Sequence, residues 1–304
     1  MKAWIYILFG AVALGALLVL TGAGFLHNHS SKRIPMSGER ELKVNLQAGF
    51  GNIYIMKGAS DQILDADVEL DDNTSVDKCF EYRVHDHIGY LDLSTDCNLD
   101  EEDNDNGHHH HGIHVEGLDS RTWNMHFTDA IPISFDVELG VGKGEIDLTG
   151  MAVKDFTLSS GASSVTVRCD KLNKETIEDL HIEAGVSKFH GIGLCNTHFR
   201  HLKFEGGVGT YTLDFGGDLN KEVDVDLEVG LGSLTIIIPD HIGAKIIYEK
   251  NWITHFSLAS DFSRSDNDDD VYYSSNYTTA KGKLNIHIDA SLGSVRIKRG
   301  DNSE

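Results

Sequence analysis

The sequence predicts an all-β fold over residues 42–299, built as an elongated stack of short strands, β-solenoid-like or a long twisted sheet pair, after an N-terminal transmembrane helix. Two observations predict the stack. A glycine turn recurs along the chain, as Ala48-Gly49-Phe50-Gly51-Asn52-Ile53 and Val141-Gly142-Lys143-Gly144-Glu145-Ile146, then from Ser160, Ala184, Gly206, Val229 and Ala290. Strict alternation flanks these turns, as in Phe135-x-Val137-x-Leu139, Val223-x-Val225-x-Leu227 and Leu284-x-Ile286-x-Ile288. Period-two alternation puts one set of side chains in a core and the other in water, so each unit reads as strand, glycine turn, strand. The third observation, for the helix, is an uncharged run from Ala3 to Leu26, long enough to cross a hydrocarbon core of about 30 Å.

In order along the chain, residues 1–26 are expected to be a membrane anchor or uncleaved signal, followed by a polar tether over 27–41. The span exceeds the apolar stretch of roughly 7–15 residues in a secretory signal, which favours retention. Lys32 and Arg33 just after it work against export under the positive-inside rule, while Lys2 supports it. The expectation is a cell-envelope protein anchored through residues 3–26, with residues 27–304 exported. Residues 42–299 form the repeat domain, and 300–304 are a tail. With Gly142, Gly161, Gly185, Gly207 and Gly230 as anchors, the repeats are 19, 24, 22 and 23 residues apart. Units this short bury their apolar faces only by stacking on neighbours, and the stack needs caps. Strands near 42–95 and the last strands, 283–299, are the candidate caps. Inward positions include Val165, Leu213, Val225 and Ile236. Two stretches break the rhythm: the acidic, His-rich insertion 96–117, and residues 259–270, which end in Asp268-Asp269-Asp270. Both read as exposed loops.

Charge excludes one class of function. Twenty-six Lys and Arg against 48 Asp and Glu give a net charge of −22, a field that repels nucleic acid. Outward residues of the strands, Asp224, Asp226 and Glu228 on one and Asn285, His287 and Asp289 on another, form a negative stripe. Such a stripe could grip a cationic ligand, but it reads first as a solvated face that blocks edge-to-edge pairing. Cys79, Cys97, Cys169 and Cys195 are compatible with two disulfides in an oxidising compartment, and the last two equally with small buried apolar residues.

Catalytic signatures are missing: no H-E-x-x-H, G-x-S-x-G or phosphate loop occurs, and Gly140-Val141-Gly142-Lys143-Gly144-Glu145 lacks the Ser/Thr and leads into a strand. The expectation is a non-enzyme that requires no cofactor. The candidate metal ligands are His108, His110 and His114, in a loop that also carries His109, His111 and Asp100 to Asp105. Neutral imidazole suits zinc, copper or nickel, and weak binding there is the alternative function.

The repeated turns, the segment Gly230-Leu231-Gly232-Ser233-Leu234 with Pro239, the stretch Tyr272-Tyr273-Ser274-Ser275-Asn276-Tyr277 and the closing Gly293-Ser294-Val295 carry a resemblance. Over roughly residues 40–299 the chain resembles the toast-rack and putative-adhesin family of bacterial envelope proteins, related to the LiaF-like cell-wall-antibiotic-response C-terminal domain. The resemblance implies a stacked β architecture on a membrane-associated protein, linked to adhesion or envelope-stress response, with no catalytic residues to carry over. One apparent span stands here where LiaF-like proteins have several. The function expected is a surface module that meets a protein or glycan partner.

Overall fold

The computed structural model describes residues 28–70, 76–97, 121–248 and 254–300, which include sixteen strands and no α-helix. The span 3–26 and most of the insertion 96–117 lie outside the described residues. Among the described residues, no helix is long and apolar enough to cross a membrane.

Six long strands carry the architecture: β2 (Glu41–Lys57), β7 (Pro132–Asp147), β8 (Ala152–Arg168), β9 (Ile177–Ile192), β10 (Phe199–Asp214) and β11 (Glu222–Pro239). They lie side by side in parallel, and a seventh, β16 (Lys283–Gly300), follows β11. Parallel neighbours usually need a crossover of a dozen residues or more. Here residues 148–151 suffice to bring the chain from the end of β7 to Ala152, which pairs with Pro132 at the start of β7. Four residues span at most about 14 Å, so each long strand must double back on itself. Phe204 and Tyr211 confirm the fold-back, since they are seven residues apart in β10 yet their rings lie 5.2 Å apart. Each long strand is therefore one rung, with two halves facing each other across a core and a bend between them.

Alternation fills that core. Val165, Leu213, Val225 and Ile236 are all buried, as their spacing predicts. Inward residues line up from rung to rung: Val165 pairs with Phe189, Phe189 with Tyr211, Tyr211 with Leu234 and Leu234 with Val295. Rings from opposite halves meet, Phe127 with Phe135 at 5.1 Å and Phe189 with Phe204 at 5.3 Å.

The bends are where the backbones come closest. Gly140, Gly161, Gly185, Gly207 and Gly230 stand in one column, which moves the repeat anchor of the first unit from Gly142 to Gly140. A methyl on Gly230 would sit 2.8 Å from the carbonyl oxygen of Gly207, and one on Gly207 2.8 Å from that of Gly185. Neither glycine has a positive φ, so proximity rather than torsion demands them. A second column two residues later reads Gly51, Gly142, Ser163, Ser187, Gly209, Gly232, Gly293. Four of its glycines have φ between 123° and 146°, and the two serines fall where the bend avoids that region.

The ends differ from the sequence expectation. Residues 28–35 of the expected tether form β1 (Asn28–Pro35), which pairs antiparallel with β3 (Gln62–Leu70) because Ile34 is buried and Lys32 and Arg33 bond to Asp77 and Asp65. β3 pairs in turn with β6 (Thr122–Phe127), and β4 (Phe80–His85) pairs with β5 (Ile88–Ser94). β5 and β6 together make the outermost rung, against the two halves of β2, so β2 is interior. At the other end β16, expected as a cap, inserts between β11 and the rung made by β12 (Gly243–Tyr248) and β13 (Thr254–Ser257). A full rung at the end would leave a long open edge. The short antiparallel strands β15 (Val271–Ser274) and β14 (Phe262–Arg264) close that end instead, and Ser265 to Asp270 turn between them. Cys79 and Cys97 form a disulfide, whereas Cys169 and Cys195 are free and buried, so of the two readings open for that pair the structure shows small buried apolar residues. Burial pushes the Cys169 thiol up to about 12, which leaves it unreactive.

The Glu39 carboxylate fastens the first cap. Burial opposes its charge, but the Tyr82 hydroxyl donates at 2.7 Å and the Ser37 N–H and hydroxyl donate at 2.6 and 2.8 Å, which holds the pKa at about 2. A depressed carboxylate contributes stability that is present above the unfolded value of 4.5 and lost as pH falls towards 2. Tyr82→Phe is expected to cost about 1–3 kcal/mol at pH 7 in urea unfolding, with the difference from wild type shrinking between pH 4.5 and 2. Gly230→Val is expected to lower stability by about 2–4 kcal/mol, whereas Leu231→Val, one residue further and exposed, should change it by less than about 0.5 kcal/mol. Equal thermal midpoints for these two variants would remove the proximity argument.

Candidate functional site

The bend edge concentrates the unusual surface. Between the two columns stands a third, whose members point outward: Val141, Val186, Val208, Leu231 and Leu292 are 41–65% exposed. They occupy one register position on successive rungs, with Ala162 between the first two. Rungs are spaced about 4.8 Å apart, so the apolar ridge is continuous. Small residues on both sides, glycine around Val141, Val208 and Leu231 and one serine beside each of Val186 and Leu292, let it stand proud.

An acidic groove of about 860 Å³ runs along the same edge. Its floor is the first glycine column. Glu138, Glu183, Glu205, Glu228 and Asp289 line it, at one register position with only Ser159 intervening. Parallel in-register pairing stacks like charges that an antiparallel or slipped sheet would stagger. Neutralisation is partial: Lys203 lies 3.1 Å from Glu205, and His181 Nε2 lies 2.9 Å from Glu205 and 3.4 Å from Glu183. The contacts with His181 and then Lys203 lower the Glu205 pKa. His181, Glu183 and Glu205 offer ligand atoms that all lie within 4.8 Å of one another. Sequence reasoning missed this trio. The signal was present, as a His-x-Glu on one strand and a second Glu 22 residues on, one repeat later.

The expected acidic stripe is also on the outer face, but histidines bridge part of it. His201 places Nδ1 3.1 Å from Asp179 and Nε2 2.9 Å from Asp226, and His287 approaches Asp226 at 3.7 Å. Burial works against the imidazolium of His201, and hydrogen bonds donated to Asp226 and Asp179 outweigh it, so the pKa rises above 6.5. A raised group contributes stability that is complete below 6.5 and lost as pH climbs through the folded value. Nuclear magnetic resonance titration of His201 should give a midpoint above 6.5 that drops in Asp226→Asn; a midpoint unmoved by that change would contradict the pairing.

His108, His110 and His114 fall outside the described residues. On either side of them Ser94 pairs with Gln47 and Thr122 with Asn52, in the two halves of the outermost rung. The Asp96 carboxylate accepts the Gly49 N–H at 3.1 Å and lines the groove.

A stack of bent rungs with one ornamented edge is the class that fold and surface define. The N-terminal domain of toast_rack matches residues 26–190 and 170–237, and the chain belongs to that family. No curated protein matches it. Among solved structures, the chain is similar to a putative cell adhesion protein from Clostridium sporogenes, at 20% identity and TM-score 0.42, over 90% of this chain and all of that one. It is similar also to a putative adhesin from Bacteroides fragilis, at 13% identity and TM-score 0.36, over 90% of this chain and 97% of that one. A third, a putative adhesin from Parabacteroides distasonis, shares 12% identity at TM-score 0.27, over 91% of this chain and 98% of that one.

Proposed function

We propose that this protein is a non-catalytic cell-envelope module, anchored through residues 3–26, whose bend edge holds a cationic, amphipathic segment of a partner protein. The observation that carries the reading is the pairing of an exposed apolar ridge with a row of carboxylates along one edge. Contiguous exposed apolar surface rimmed by charge is characteristic of interaction sites. The chain's net charge of −22 disfavours a second copy as the occupant and favours a basic one. Export is supported by the Cys79–Cys97 disulfide, since such bonds persist in oxidising compartments. Membrane association and adhesion or envelope-stress roles fit the same surface, which presents repeated contacts along its length.

A fluorescent peptide alternating Lys and Leu is a suitable probe for the full chain. Binding should weaken by about tenfold or more in the double variant Val208→Asp, Leu231→Asp. It should weaken and lose salt dependence in Glu205→Gln, Glu228→Gln. Leu172→Asp, at an exposed apolar residue away from the ridge, should leave binding unchanged. Absence of binding, or an equal loss in Leu172→Asp, would count against the bend edge. Protease added to intact cells or to spheroplasts should reach the β domain; protection in both would place it on the cytoplasmic side.

A further inference from the structure

We infer that His181, Glu183 and Glu205 form a binding site for a divalent transition-metal ion of the zinc and nickel class. The site is distinct from the His-rich loop; it shares Glu183 and Glu205 with the acidic groove but does not rest on the partner-binding reading above. Three features carry it.

First, the spacing suits a metal. Ligands about 2.1 Å from one ion, at tetrahedral or octahedral angles, stand roughly 3.0–3.4 Å apart. His181 Nε2 lies 2.9 Å from a Glu205 oxygen and 3.4 Å from a Glu183 oxygen, and all three ligand atoms lie within 4.8 Å of one another, within reach of a small side-chain rotation. Second, the ligands sit on rigid elements. His181 and Glu183 are two residues apart on β9 and share its outer face, and Glu205 on β10 is the in-register partner of Glu183. Parallel pairing on both sides fixes the backbone beneath all three side chains, so an ion would order no loop when it binds. Third, the donor set is right for this class: one imidazole with two carboxylates leaves open coordination positions and suits zinc or nickel better than calcium, which takes oxygen ligands. His181 is only partly exposed, and its two carboxylate partners open on the groove, so remaining positions are free for water or for a donor from a bound partner.

Lys203 is the built-in opponent. Its ammonium lies 3.1 Å from the other oxygen of Glu205, where its charge repels an incoming cation. The β8 residues level with His181 and Glu183 are Thr157 and Ser159, which carry no charge. A plain hydrogen bond between His181 and Glu205 explains the resting contact, but it predicts no response to metal. It also predicts that removing Lys203 would do nothing for cation affinity, whereas a metal site gains.

The test uses the full chain with His108, His109, His110, His111 and His114 replaced by Ala, which silences the loop. Calorimetry with zinc chloride and nickel chloride should show one equivalent bound. His181→Ala and Glu205→Gln in that background should each weaken binding by about tenfold or more, and Lys203→Ala should tighten it by about threefold or more. Cobalt(II) substitution gives a second readout, a visible absorption band that His181→Ala shifts or abolishes. Thermal unfolding in chelator checks that the variants are folded; Lys203→Ala alone keeps the test decisive if the ligand variants are not. No bound equivalent in the background chain, or affinities unchanged across folded His181→Ala and Lys203→Ala, overturns the site.

Discussion

Everything in this molecule depends on how closely the backbones of successive rungs approach at the bend. Gly140, Gly161, Gly207 and Gly230 are each so near the carbonyl of the preceding rung that a side chain would force the rungs apart. That closeness keeps the rungs in register. Register in turn stacks like on like: inward Tyr211 beside Phe189 and Leu234, outward Glu205 beside Glu183 and Glu228. A slip of one residue would turn each core row to water, so core and surface rows are fixed by the same constraint. The apolar ridge is a by-product of that geometry, because the residue between two bare positions has nowhere to go but outward.

Much of this was legible in the chain itself, for a physical reason. Alternation and turn glycines are local signals, and in a stack of parallel rungs local pattern and global fold coincide. What was not legible is non-local. Nothing in the pattern of β16 tells that it inserts between β11 and β12, since its alternation would serve at an end or in the middle. Asn28–Pro35 looked like a tether because Ile34 is its one large inward residue, and pairing with β3 is what makes it a strand. Gly142 was the wrong anchor because both columns contain glycine, and only register separates them. Cys79 and Cys97 come together because the chain folds β4 back on β5; spacing alone favoured no pairing.

The candidate site was half legible. The acidic stripe could be read from Asp224, Asp226 and Glu228, but its partners could not, because His201 reaches Asp179 and Asp226 across two rung boundaries. The histidines that stood out as metal ligands in the sequence are the clustered ones. His181 and His201, which the fold places between carboxylates of neighbouring rungs, are single residues on different strands. Composition finds clusters along the chain, whereas chemistry needs clusters in space, and register builds those from single residues one repeat apart.

Repetition also shapes what the edge does. Each rung contributes one apolar residue and, on most rungs, one carboxylate, so a segment lying along the edge meets the same contact several times. Contacts of modest individual strength then act together once the first is made, because the rest become intramolecular. Such a surface discriminates by length and charge pattern more than by any one residue. The described residues on either side of the insertion meet this edge too: Ser94 pairs with Gln47 and Thr122 with Asn52, on the two sides of the bend of β2, and the Asp96 carboxylate accepts the Gly49 N–H. Elsewhere the outer face is made of paired strands, and extra residues there would break register. Between the halves of a rung extra length disturbs no pairing, and loop-closure entropy grows slowly with length. The edge that the glycines hold close is thus also the edge at which the fold tolerates elaboration.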